Sequence, residues 1–292
     1  MGENHRNQKI AILTDTGTSI TPFEAKEQGI FLLPLQIVEG LKSYNDLIDL
    51  DTEQVYQMIQ NHIPLTTSLP SLSVIYETIE QIKQEGYEQI IAVLLTKAIS
   101  STASVVKTTA NELSIPITLI DTYTSCQIQR HVVYRIKNLI NLNLSIDNIL
   151  SIIQDEINNS SSYILAGDLN HLKRGGRLTP LAASFANMMK IYPILKMDKD
   201  TEGKIDVYNK VRTKKKAIRT IIDMSIPQDQ MNDYKYFVLH SDDLEKAISI
   251  KNELLNKGIN EENIVTTHFN SIIAVHVGMK CLAIQHIKIN KI

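Results

Sequence analysis

Apolar residues in the first half of the chain fall into short unbroken runs separated by segments with helical spacing. KIAILT (9–14), IFLLPLQIV (30–38), QIIAVLLT (89–96) and PITLID (116–121) are such runs, as expected of strands buried on both faces. Pro34 implies an edge or a bend in the second, because proline cannot donate to a ladder. SLSVIYETIEQIKQEG (71–86) sets Leu72, Ile75, Ile79 and Ile82 on one face and reads as a helix. TPFEAKEQG (21–29) has Thr21 as cap, Pro22 at the first helical position and Gly29 at the stop. Further helices are predicted from about Asp51 to Asn61, with Thr52 as candidate cap, and over 100–113, 125–139 and 145–158. Alternation of apolar strands with helices predicts a parallel sheet covered on both faces. Ligands of such sheets sit beyond the C-terminal strand ends. Here those ends are Thr14-Asp15-Thr16, Thr96 and Asp121-Thr122, which are rich in hydroxyls.

Near residue 160 the pattern changes. Segments 162–167, 192–198, 204–211, 236–241 and 263–269 read as strands, with KDTEG (199–203) a hairpin turn. Segments 213–225 and 243–258 read as helices. DLNHLKRGGRLTP (168–180) reads as a turn-rich connection, and SIIAVHVGMKCLAIQHI (271–287) as two short strands around Gly278. The prediction is an α/β protein of two domains behind a disordered lead over 1–8. An N-terminal parallel-sheet α/β domain spans 9–160. A C-terminal α+β domain with a mixed or antiparallel sheet spans 161–292.

The 292 residues are 43% hydrophobic and 21% charged, enough to bury a real core. A net charge of -2, 5% aromatics and no Trp argue against a nucleic-acid partner. Cys126 and Cys281 are far apart with no CxxC, which disfavours a zinc site and suggests two reduced, buried thiols. The polar start MGENHRNQK has no signal-peptide core, and Arg6 stands where myristoylation wants Ser or Thr. The longest apolar runs are too short to span a bilayer. A cytoplasmic protein without a transmembrane segment is expected.

Several stretches could carry chemistry. Asp15-Thr16-Gly17 matches the aspartic-protease turn, but that chemistry needs two aspartates sharing a proton. No second DTG exists, and the chain is helix-rich. Asp15 is therefore expected at a parallel strand end, accepting backbone hydrogen bonds or polarising a hydroxyl. Thr67 and Ser68 in PLTTSLP, and Ser100 to Thr102 in LTKAISSTAS, precede helices; they either cap them or seat an anion. In LKRGGRLTP, Gly175-Gly176 permits a tight turn with positive φ that aims Arg177, either to solvent or at a ligand or partner. It is not a Walker loop, since no GK[ST] follows. His276, in AVHVG before Gly278, is structural or functional. KVRTKKKAIR (210–219) is the only basic run, a solvated helix start or a docking patch for an acidic partner.

Taken in order, these segments resemble the DegV family, the fatty-acid-binding subunits of bacterial fatty acid kinase. ILTDTGTSI (12–20) is similar to the family's opening strand and turn, with Thr16 in place of Ser. PLQIVEGLKSYND (34–46) resembles its next strand and Tyr-x-Asp, and TTSLPS (66–71) its Thr-Ser-Gln-Pro-Ser. LLTKAISSTASV (94–105) resembles the loop ending Ser-Gly-Thr. HLKRGGRLTP (171–180) resembles the Gly-Gly-Arg stretch, and AVHVGMKCLAI (274–284) the terminal His-x-Gly-Pro-Gly. The resemblance covers about residues 9–287.

It implies a two-domain fold with a long-chain fatty acid buried between the domains and no independent catalysis. The acyl carboxylate would be presented to a separate fatty acid kinase, the partner that uses ATP to form an acyl phosphate. This chain would need no cofactor, would touch membranes at most transiently and would not bind nucleic acid. By position, Thr67, Ser68 and Ser100 match the carboxylate-holding segments, with His276 nearby. Arg177, Asp15, Thr16, Gly175 and Gly176 are site or partner candidates. The chain departs from the pattern at Leu69 for Gln, Ser101 for Gly, and Met279-Lys280 for Pro-Gly. These bear on ligand choice and kinase coupling, and leave a degenerate paralogue with another lipid as an alternative. A small-molecule kinase or phosphotransferase related to dihydroxyacetone kinases is the rival of another class, and a scaffold with an empty cleft a third.

Overall fold

A computed structural model describes residues 9–188 and 191–291. The lead expected to be disordered, residues 1–8, lies outside the described residues. The first half runs β1 (Ile10–Asp15), α1 (Pro22–Gln28), β2 (Ile30–Leu33), β3 (Gln36–Glu39), β4 (Lys42–Asn45), α2 (Thr52–Gln60) and β5 (Leu65–Ser68). It continues through α3 (Leu72–Gln84), β6 (Gln89–Val93), α4 (Thr102–Glu112), β7 (Ile117–Ile120), α5 (Gln127–Asn141) and α6 (Ile146–Asn158). The second half runs β8 (Ser160–Leu165), α7 (Leu169–Arg174), α8 (Pro180–Ser184), β9 (Tyr192–Met197), β10 (Asp206–Val211) and α9 (Lys214–Ser225). β11 (Tyr234–His240), α10 (Leu244–Asn256), β12 (Ile264–His268), α11 (Ser271–Val277) and β13 (Leu282–Lys288) complete it.

The described residues form three sheets. One is parallel, in the order β2-β1-β6-β7. A small antiparallel sheet has the order β4-β3-β5. The third, β10-β9-β8-β13-β11-β12, is antiparallel except for the β11–β12 pair, and so mixed. Strand alternation divides the core. Ala11, Leu13, Ile90 and Ala92 pack against Ile75, Ile79 and Ile82 of α3 and Val106 of α4. The other face of the parallel sheet, through Ile12, Ile91 and Val93, joins Ile128, Val132 and Ile136 of α5 and continues to Ile164, Leu239 and Ala283 of the mixed sheet. The far face of the mixed sheet is covered by α9 and α10 through Ile221, Ile222, Ile250 and Leu254.

The structure corrects several local readings. The run 30–38 is two strands in different sheets: Pro34 ends β2, and the chain crosses to the small sheet as β3. Asp51, not Thr52, caps α2, in a capping box with Gln54. Leu72 is 67% exposed and leaves the apolar face of α3 to the three isoleucines. The turn-rich stretch 168–180 contains α7, capped by Asp168. Residues 271–277 form a helix, not a strand: Asn270 caps α11 by accepting from Ile273 N at 2.8 Å. All seven residues of α11 are buried, so no amphipathic period could betray it, and its Ile and Val residues mimic a strand.

Candidate functional site

β5 emerges from the small sheet with Thr67 opposite Ile37 and Ser68 opposite Gln36. Neither residue caps α3. That task falls to Ser71, whose hydroxyl accepts from Val74 N at 3.3 Å. The Thr67 hydroxyl instead meets Nε2 of His276 at 2.7 Å. Burial holds His276 neutral, its pKa pushed down to about 4, with the Arg177 charge and His171 acting the same way and the Gly175 backbone opposing them. Its Nδ1 faces Gly175 and completes no hydrogen bond among the described residues.

Ser100 sits in the loop leaving β6. The N–H groups of Ile99 and Ser100 both donate to the Thr96 carbonyl at 3.1 Å, which turns the chain back on itself. The Ser100 hydroxyl accepts from Thr102 N at 3.2 Å and lies 2.9 Å from the Thr102 hydroxyl. Ser101, the residue before α4, makes no side-chain cap.

Thr67, Ser68, Ser100, Arg177 and His276 line one cavity of about 200 Å³, whose other walls are largely aliphatic, including Leu35, Leu95, Ile164 and Ile272. Wall residues come from the small and mixed sheets, from α11 and from the connections that follow β2 and β6. Ser125, Ser162 and Gln285 add a polar patch that the sequence reading missed. Gln285 is buried; it accepts from Gln127 N at 3.2 Å and donates to the Ser125 carbonyl at 3.0 Å. A glutamine inside the apolar strand β13 was the available signal.

The other candidates support the site rather than face it. Asp15 is buried and accepts from Leu95 N at 2.8 Å, Gln129 Nε2 at 2.9 Å and Gly17 N at 3.0 Å. Burial pushes its pKa up to about 6 against those bonds. It is a strand-end anchor outside the cavity wall. The buried Thr16 hydroxyl accepts from Leu35 N at 3.2 Å. The two glycines have separate roles. Gly176 takes the left-handed turn, at φ 72°, but Gly175 has φ -61°. A Cβ on Gly175 would lie 3.0 Å from His276 Nδ1, so this glycine makes room for the histidine.

Arg177 reaches back to the Gly175 carbonyl at 2.7 Å through Nη1. Partial burial lowers its pKa, and no carboxylate among the described residues pairs with it. The basic run opens α9, across the mixed sheet from the cavity. Leu69 and Ser101 line the cavity, whereas Met279 and Lys280 do not. Both cysteines are buried free thiols. Among the described residues no helix is long and apolar enough to cross a membrane, and no cluster of three metal-ligating side chains occurs.

These features define an α/β protein with a largely aliphatic pocket headed by hydroxyls and a neutral histidine. A family model described as "Uncharacterised protein, DegV family" matches residues 9–288. The chain belongs to the DegV family, as its sequence motifs imply. A DegV domain-containing protein of Halalkalibacterium halodurans is 28% identical over 273 residues, 92% of this chain and 95% of that one. One from Streptococcus pyogenes serotype M3 is 30% identical over 278 residues, 94% and 97% of the two chains. Among solved structures, a fatty acid binding DegV family protein from Streptococcus agalactiae superposes with a TM-score of 0.86 at 27% identity, covering 97% of this chain and 100% of the other. DegV from Bacillus subtilis, described as a fatty acid binding protein, gives 0.80 at 27% identity over 96% and 99%.

Proposed function

We propose that this chain binds a long-chain fatty acid in the cavity between its two domains and presents the carboxylate to a separate fatty acid kinase, which uses ATP to make the acyl phosphate. The chain brings no cofactor and no catalysis of its own in this reading. The observation that carries it is the pairing of aliphatic walls with a head of hydroxyls, Thr67, Ser68 and Ser100, backed by His276. The similarity to fatty acid binding proteins at 27% identity supports it.

The physical argument has two parts. Each buried methylene contributes roughly 0.8 kcal/mol, so a long acyl chain favours binding strongly before association costs are met. A carboxylate in the same pocket is costly unless hydrogen-bonded. Hydroxyl donors supply those bonds without a fixed carboxylate–cation pair, which leaves an oxygen able to attack a phosphoryl group. Arg177, without a carboxylate partner, is suited to the anionic head or to an acidic surface of the kinase.

Native mass spectrometry of the purified protein tests the reading, with denaturing extraction of whatever accompanies it. An added mass equal to a free fatty acid, released on denaturation, is expected. A nucleotide or phosphorylated metabolite would favour the small-molecule kinase instead. A chain that stays empty when oleate is added would overturn the proposal.

A further inference from the structure

Asp46 closes the Tyr44-Asn45-Asp46 stretch, is fully buried and lies outside the cavity wall. Its N–H donates to the Leu35 carbonyl at 2.8 Å. Its Oδ1 accepts from the hydroxyl of Ser271, 225 positions away in the chain. The Thr16 hydroxyl and Leu47 N–H also favour its charged form, yet Oδ2 completes no hydrogen bond among the described residues. A buried carboxylate with an unfilled oxygen is poor value for stability alone. Its partner shows what else it does.

Ser271 is the first residue of α11, the helix that carries His276. The small sheet therefore grips α11 twice. Tyr44 of β4 and Thr67 of β5 both stand opposite Ile37 of the central strand β3. Beyond the end of β4, Asp46 holds Ser271; on β5, Thr67 meets His276. The two helix positions are about 7.5 Å apart along the axis at 1.5 Å per residue. Two ties at different heights on one helix restrain both its rotation and its axial position. A slip of one residue would turn the helix by about 100° and carry the His276 ring off Thr67.

We propose that Asp46 is a positioning residue: by anchoring Ser271 it sets the rotation and axial register of α11, and so delivers His276 to Thr67. A second tie at the same end, from Asn270 Nδ2 to the Gly17 carbonyl, holds α11 to the turn after β1 rather than to the small sheet. Loss of Asp46 leaves α11 docked but not keyed to β5. The effect on ligand affinity rests on the fatty-acid reading; the Thr67–His276 pairing does not.

The test uses the full chain with Asp46→Ala, Asp46→Asn and Ser271→Ala, and reads the 15N shifts of the His276 imidazole in ligand-free protein together with oleate affinity. Asp46→Ala and Ser271→Ala should give the His276 shifts of Thr67→Val and weaken oleate about tenfold. Asp46→Asn, whose amide oxygen still accepts from Ser271, should restore both. Should Asp46→Ala not fold, Ser271→Ala carries the comparison, since it removes only the donor. His276 shifts unchanged from the parent in Ser271→Ala overturn the proposal. If the shifts move as expected but no protein, parent included, binds oleate, the keying of α11 stands and the fatty-acid reading falls.

Discussion

The Thr67 hydroxyl oxygen lies 2.7 Å from Nε2 of His276, and the two residues are 209 positions apart in sequence. His276 is neutral because burial presses its pKa down to about 4, so its ring carries a single N–H. When that proton is on Nε2, the imidazole donates to Thr67 and the hydroxyl proton is left to serve a carboxylate. Thr67→Val keeps the shape and removes the hydroxyl. Oleate affinity should fall about tenfold, matching a hydrogen bond to a charged group at about 1.5 kcal/mol. Titration calorimetry checks this. Unchanged affinity in both Thr67→Val and Ser100→Ala would remove these hydroxyls from the site.

The adjacent glycines should separate binding from stability. Gly175→Ala has an ordinary backbone at φ -61°, but its methyl would stand 3.0 Å from His276 Nδ1. Displacement of the ring should lower oleate affinity several-fold. Gly176→Ala meets no neighbour within 4 Å but must hold φ 72°. It should cost about 1 kcal/mol of stability and leave affinity unchanged. Urea unfolding and oleate titration of both variants distinguish the two effects.

Much of this arrangement was legible in the chain. The strands of the parallel sheet follow from apolar runs, and Thr21, Pro22 and Gly29 bracket α1 as read. Thr67, Ser68, Ser100, Arg177 and His276 were named from loops and strand ends and do share one cavity. What the sequence withheld is long-range. Nothing local tells that Thr67 pairs with His276, or that Gln285 enters the cavity from β13. α11 escaped because a helix buried all round shows no polar face. Asp15 does stand at a parallel strand end accepting backbone hydrogen bonds, as its sequence context implies, but the donor from Gln129 is another long-range contact.

Lys280 occupies a left-handed backbone, at φ 59°. The family turn that this stretch resembles has glycine there. Its ammonium pairs with Asp242 Oδ2 at 2.9 Å, but both side chains are about half exposed, and such pairs contribute little. Lys280→Gly should relieve the backbone and raise stability by about 0.5–1 kcal/mol. Oleate affinity should not change, because Lys280 is not on the cavity wall. A loss of stability would show that the pair with Asp242 outweighs the strain.

Acid should destabilise the protein well above the usual carboxylate range. Burial depresses the pKa of His131, His276 and His286 to about 4. The unfolded chain takes up protons at these sites from about pH 6.5 downward and the native chain does not, so stability present at neutral pH is lost as pH falls from 6.5 toward 4. Asp15 and Asp46 work the other way. With pKa values raised to about 6 by burial, they bind protons first in the native chain and add stability as pH falls from 6 toward 3.8. Three histidines outnumber two aspartates, and their window opens at higher pH. Unfolding free energy from urea melts should be about 1–3 kcal/mol lower at pH 5 than at pH 7.5. His286 packs beside Tyr163, Tyr234 and Tyr236, and its Nδ1 has no hydrogen-bond partner among the described residues. His286→Phe keeps an aromatic ring there and removes the titrating group, so the difference between the two pH values should shrink. An equal difference in the variant would mean that His286 does not contribute to the acid sensitivity.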